Sequence, residues 1–138
     1  MYAKQTKVPI EQSKMTLEKM LRKAGAAQIG MFSDGVSLAS VVMFKLEGRF
    51  VKLRIAPSTK MKNVEQEERR VWRVMLLLIK AKMEIIEAGL SSVEREFLAD
   101  VMTADGRTVG ELMKPALAAS YESGSMQPIS ALLLGGGT

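Results

Sequence analysis

Between positions 63 and 89 apolar residues recur on two adjoining stripes. Trp72, Met75, Leu76, Ile79, Met83 and Ile86 make one, and Val71, Val74, Leu78, Ala81 and Ile85 the other. Both keep the spacings of three and four that stack side chains on one helical face. Polar positions shrink to a strip, Gln66, Arg69, Arg70, Arg73, Lys80, Glu84 and Glu87, interrupted by Leu77. The pattern predicts one long helix that touches protein over most of its circumference. Asn63 is a good cap, with Gln66 three residues on and Glu65, Glu67 and Glu68 in the first turn, and Gly89 closes the far end. Such a helix is roughly 38 Å long, so one end is expected to project or meet a partner. With few other helices to cover it, a stripe remains for a second copy, and a homodimer is expected.

Before this helix the period changes. Ile10, Leu17, Met20, Leu21 and Ala24 against Glu11, Lys14, Glu18, Arg22 and Lys23 predict an amphipathic helix entered at Pro9 and left at Gly25. Residues 28–55 alternate as a three-stranded antiparallel meander, with turns at Asp34-Gly35 and around Gly48. A two-residue turn at Asp34-Gly35 sets Ser33 against Val36, Met31 against Leu38 and Ile29 against Ser40. One face then carries Ile29, Met31, Val36, Leu38, Val42, Phe44, Leu46, Val51, Leu53 and Ile55. The opposite face carries Phe32, Val41, Met43, Lys45, Phe50, Lys52 and Arg54. If Gly48-Arg49 is the second turn, Lys45 meets Lys52, a like-charge pair; if Glu47-Gly48 is the turn, Lys45 meets Phe50.

After Gly89, Ser91 and Glu94 have capping-box spacing, and Val93, Phe97, Leu98, Val101 and Met102 supply one helical stripe. Thr108 and Glu111 open a last helix carrying Val109, Leu112, Met113, Ala116, Leu117 and Tyr121, with Pro115 inside it. Gly110 weakens that helix and hints at close packing. Residues 1–8 read as an arm or a short edge strand. Consecutive strands followed by consecutive helices predict an α+β fold: an N-terminal helix, the meander, a long central helix and two or more C-terminal helices. Residues 1–128 form one domain, and residues 129–138, with Leu132-Leu133-Leu134 before three glycines, form a flexible or docking tail.

Composition narrows the chemistry. The 138 residues contain no cysteine and no histidine, which removes thiolate chemistry and the commonest general base and metal ligand. Glu96 and Asp100 have metal-pair spacing but no further ligands, and the segment with Glu94 reads as a solvated acidic face. The glycines make no phosphate loop. No enzyme, cofactor or metal is expected. The apolar run 71–79 is short and carries Arg73, and the N-terminus lacks a signal-peptide core, so a cytoplasmic protein without a membrane span is expected.

The net charge of +5 is unevenly spread. Residues 1–62 carry twelve Lys and Arg against four Asp and Glu, whereas residues 63–138 carry eight against eleven. The basic half is the face for an anionic partner. Phenylalanine interleaved with Lys and Arg on a sheet suits single-stranded nucleic acid, rings for bases and cations for phosphates. The candidate binding residues are Lys45, Arg49, Phe50, Lys52 and Arg54.

Val8-Pro9-Ile10-Glu11-Gln12-Ser13 with Leu17, Leu21 and Gly25-Ala26, then Phe44 to Val51, the block from Arg70 to Lys82, and Asp105 to Glu111 with Pro115, Tyr121, Gly124-Ser125-Met126 and Pro128, resemble a family of small proteins encoded by bacteriophages and prophages. The resemblance spans nearly the whole chain. It implies a phage origin and a bacterial host cytoplasm, and it transfers no functional residue, that family having no established activity. Two functions compete: a phage accessory protein that binds nucleic acid, preferring single strands, without sequence specificity; and a protein-interaction module that inhibits or modulates a host factor or defence complex.

Overall fold

The computed structural model describes residues 8–57 and 63–134. The order is α1 (Ile10–Lys23), β1 (Ala27–Ser33), β2 (Ser40–Leu46), β3 (Arg49–Ile55), α2 (Val64–Glu87), α3 (Val93–Glu96), a 3-10 turn (Leu98–Asp100), α4 (Val109–Ser123) and α5 (Gln127–Leu133). This is the α+β arrangement that the alternation of periods predicts. Of the arm or edge strand expected over residues 1–8, residues 1–7 lie outside the described residues, as do Lys60 and Lys62 of the connection into α2.

The antiparallel sheet has the order β1-β2-β3. Its inner face packs on α1 and α2. Leu17 and Leu21 from α1, Val42, Phe44, Val51 and Leu53 from the strands, and Trp72, Met75, Ile79 and Met83 from α2 form one core with Phe97. Phe97 meets Phe44 edge to face, centroids 5.6 Å apart and planes at 84°, the geometry that ring quadrupoles favour.

Both turns reveal how the register is set. At the second, Glu47 and Gly48 have φ of 50° and 77°, as both central residues of the tightest hairpin turn require. Lys45 therefore faces Phe50, and Met43 faces Lys52. The first connection departs from the two-residue turn expected at Asp34-Gly35. Ser33 pairs with Ser40 and Met31 with Val42, leaving a six-residue loop over positions 34–39. The Asp34 carboxylate accepts the Val36 amide at 2.9 Å, and the Asp34 and Leu38 amides donate to the Ala39 and Asp34 carbonyls, each at 2.9 Å. An aspartate that caps its own loop replaces the tight turn. Val36 and Leu38, expected on the buried face, are instead 95 % and 36 % exposed. The difference in register is even, so every other strand residue keeps its expected face.

α2 spans the segment that its sequence pattern marks, but the chain buries most of only one of its two apolar stripes, not most of its circumference. Asn63 caps it by accepting the Gln66 amide at 3.0 Å. The Gln66 side chain accepts from Arg69 at 2.7 Å. Glu67 is 1 % exposed and is held by Arg70 through two bonds of 2.6 and 3.2 Å, the pairing that a buried carboxylate needs. That contact raises the Arg70 pKa.

The helix expected over Val93 to Met102 is broken. Ser92, not Ser91, caps it by accepting the Arg95 amide at 3.1 Å, and it ends at Glu96. Phe97 plunges into the core, and Val101 then forms an antiparallel bridge with Val51 on the free edge of β3. A helical period in the apolar positions has been satisfied by one helical turn, a 3-10 turn and two bridge residues, Val101 and Met102, because the edge of β3 offers backbone partners. Residues 127–133, where a tail was expected from 129, form α5 against α4. Residues 135–138 lie outside the described residues.

Candidate nucleic-acid interface

The outer face of the sheet consists of three rows. Phe32, Val41 and Arg54 lie across the sheet in one row, Gly30, Met43 and Lys52 in the next, and Lys45 beside Phe50 in the third. These are the residues that strand alternation assigns to this face. Phe32 is 47 % and Phe50 39 % exposed, while Val41 between the strands is buried.

Four of the five candidate binding residues share this face. The Lys45 ammonium sits 5.3 Å from the centre of the Phe50 ring, a contact that keeps the ring edge ordered and is worth about 0.5–1 kcal/mol at an exposed site. Lys52 and Arg54 project on the same side, two residues apart along β3, hence about 6.6 Å from one another at the backbone. Arg54 donates to the Ser37 hydroxyl at 3.2 Å and stands near Asp34. The Asp34 pKa is lowered chiefly by the Val36 amide and the Ser37 hydroxyl, with Arg54 a lesser contributor. Arg49 is the exception. It has the opposite parity and pairs with Glu94 of α3 at 2.9 Å, so it braces the turn against the helical layer and stands apart from the other four.

The outer face is flanked by the segment over residues 97–114, which the sequence pattern does not place there. Met102 donates its amide to the Phe50 carbonyl at 2.8 Å, and Val109 donates to Val101 at 2.9 Å. A small hairpin between them is closed by Thr103 and Arg107, with Asp105 at its tip. The Thr103 hydroxyl and then Arg107 hold the Asp105 pKa down to about 2. Thr108 caps α4 by accepting the Glu111 amide at 3.2 Å, as its capping-box spacing predicts. Gly110 is required for the approach: a β-carbon there would lie 3.0 Å from the Ala99 carbonyl oxygen. The start of α4 is thereby pressed against the 3-10 turn.

Two depressions result. One, of about 290 Å³, is lined by Lys52, Arg54, Asp100, Glu111 and Lys114 with Ala99, Thr108 and Gly110. The other, of about 430 Å³ and more apolar, lies between Met43, Phe50, Met102, Thr103, Ala104 and Gly106. Burial raises the pKa of Asp100, with Lys82 acting against it. Lys52, Lys114 and Glu111 make no ion pair among the described residues. Three cations and two carboxylates therefore share one cleft. Strand alternation identified Lys52 and Arg54; it had no means of finding Lys114, Asp100 or Glu111, which arrive from positions about fifty residues away. Their only forewarning was Gly110, whose cost in a helix pointed to a close neighbour.

Among the described residues no three acidic, histidine or cysteine side chains gather to hold a metal ion. Glu96 and Asp100 do not share a helix: Glu96 accepts the Ser91 hydroxyl at 2.6 Å, and Asp100 lines the cleft. No described helix is long and apolar enough to cross a membrane. No protein-family model, curated protein or solved structure matches this chain.

Proposed function

We propose that this protein binds single-stranded nucleic acid through the outer face of its sheet, weakly and without sequence preference, as a phage-encoded accessory protein of the bacterial cytoplasm. One observation carries the reading: Phe50 offers an exposed ring beside Lys45, and Lys52 and Arg54 continue the same face along one strand. Stacking on a ring tolerates any base, and cations neutralise phosphates regardless of sequence. The apolar depression beside Phe50 gives a base edge somewhere to rest, and Lys114 adds a cation at the cleft. Arg49, paired with Glu94 on the opposite parity, is left out of this surface. Asp100 and Glu111 repel phosphate, which keeps the affinity low. A duplex hides its base faces from Phe50, so single strands bind more tightly.

The test is a fluorescence polarisation titration of labelled single-stranded and duplex oligonucleotides at low and moderate salt. Binding that is tighter for single strands and weakens with salt is expected. An absence of binding at low salt rejects the reading.

A second reading, a module that acts on a host protein, draws on the C-terminal hairpin. Neither α4 nor α5 contains a buried residue, and Leu117, Tyr121, Met126, Leu133 and Leu134 are exposed there. If nucleic acid fails to bind, capture of a specific host protein that is lost on Tyr121→Asp supports this alternative.

A further inference from the structure

The fold uses one of the two apolar stripes of α2 and leaves most of the other open. Trp72, Met75, Leu76, Ile79 and Met83 are buried. On the second stripe Val74 is half-buried, Ala81 is exposed, and Leu78 and Ile85 are 40 % and 37 % exposed. These four follow at intervals of four, three and four, the seam along which two helices pack as a coiled coil. The seam carries no charge. Along one of its flanks Arg73 stands at the start and Glu84 near the end, eleven positions or about 16 Å apart. Neither makes an ion pair among the described residues. Because the buried stripe faces α1 and the sheet, the seam is turned away from them.

We propose that this seam pairs with the same seam of a second copy, the two α2 helices running antiparallel about a two-fold axis. Val74 then lies opposite the second copy's Ile85, and Leu78 opposite its Ala81. In an antiparallel pair like flanks meet, so each Arg73 lies two residues, about 3 Å along the axis, from the level of the other chain's Glu84 and within reach of it, twice by symmetry. A parallel pair brings unlike flanks together, which leaves the Arg73 and Glu84 of the two chains on opposite sides and unpaired. The charge pattern thus complements itself in one orientation only, and the occupant it fits is this chain. The outer sheet face stays free, and self-association is separable from nucleic-acid binding.

Light scattering at tens of micromolar tests this, with a dimer mass expected. Leu78→Glu, at a position already exposed, should give a monomer with an unchanged circular dichroism spectrum. Arg73→Glu or Glu84→Arg alone should raise the dimer dissociation constant about tenfold, and the two together should restore it. The chain has no cysteine, so mixing Val74→Cys and Ile85→Cys proteins under oxidation reads the orientation directly: the mixed disulfide should dominate. A monomeric wild type, a dimer indifferent to Leu78→Glu, or a preference for the two symmetric disulfides would overturn the proposal.

Discussion

The inner and outer faces of the sheet come from the same strands, and they use phenylalanine in opposite ways. Phe44 on the inner face is fully buried against Phe97, whereas Phe50, one strand over on the outer face, keeps over a third of its surface in water beside Lys45. The centre of the inner face, Val42, Phe44, Val51 and Leu53, is apolar because two helices cover it. The outer face mixes rings, thioethers and cations because, among the described residues, it is flanked by residues 97–114 along one edge and touched by Ser37 of the 34–39 loop. Phe44 is enclosed within the core, whereas Phe50 lies beside a cation with part of its ring open to solvent. The comparison teaches that stability and binding are carried by different side chains of the same strands, and that substitutions can separate them.

The largest separation is expected between the two phenylalanines. Phe44→Ala should cost about 3–5 kcal/mol of stability through the cavity it leaves, read from denaturant unfolding. Phe50→Ala should cost little stability but about 1–3 kcal/mol of single-strand binding if a base stacks there. A Phe50→Ala protein that unfolds as readily as Phe44→Ala would erase the distinction between the faces.

Gly110 tests how the flanking segment is held. Alanine in place of glycine inside a helix ordinarily gains about 1 kcal/mol. Here the added carbon meets the Ala99 carbonyl, and a net loss of about 1 kcal/mol is expected, measured as a lower denaturation midpoint. A gain would show that α4 and the 3-10 turn separate without cost, and the cleft with Lys52 and Arg54 would lose its wall.

The smallest effect concerns Asp100. Its raised pKa means that the folded protein holds this proton more tightly than the unfolded chain does. Stability is therefore lost as pH rises from the ordinary carboxylate value of 3.8 through the raised one. Asp100→Asn should flatten the melting temperature between acid and neutral pH and raise it slightly at neutral pH. It should also tighten nucleic-acid binding by removing a negative charge from the cleft. A variant that melts lower at neutral pH would contradict the burial assigned to this group.

The membership of each sheet face was legible in the sequence because side chains alternate with period two and each strand runs seven residues. That legibility survived a wrong turn. Asp34 spends its side chain on the loop, a choice that no hydrophobic pattern records, and Val36 and Leu38 were misplaced as a result. α2 was legible for the same reason as the strands, a long and regular period with a cap at Asn63. Residues 93–102 were not. Their apolar spacing fits a helix, yet the bond from Met102 to Phe50 depends on the bare edge of β3, which is a property of the assembled sheet. The cleft has the same origin: Lys114, Glu111 and Asp100 reach Lys52 and Arg54 through docking of a segment whose local signals are only a cap at Thr108 and a glycine at 110.

The central claim, that the outer face binds nucleic acid through its cations, is tested most directly by the salt dependence of single-strand affinity for the wild type and for Lys52→Glu with Arg54→Glu. Each phosphate contact contributes about 0.7 to the slope of log affinity against log salt. The double variant is expected to retain its melting temperature, bind far more weakly at low salt and show a slope flatter by about 1.4, two such contacts. A double variant that folds and binds with the affinity and slope of the wild type would contradict the account.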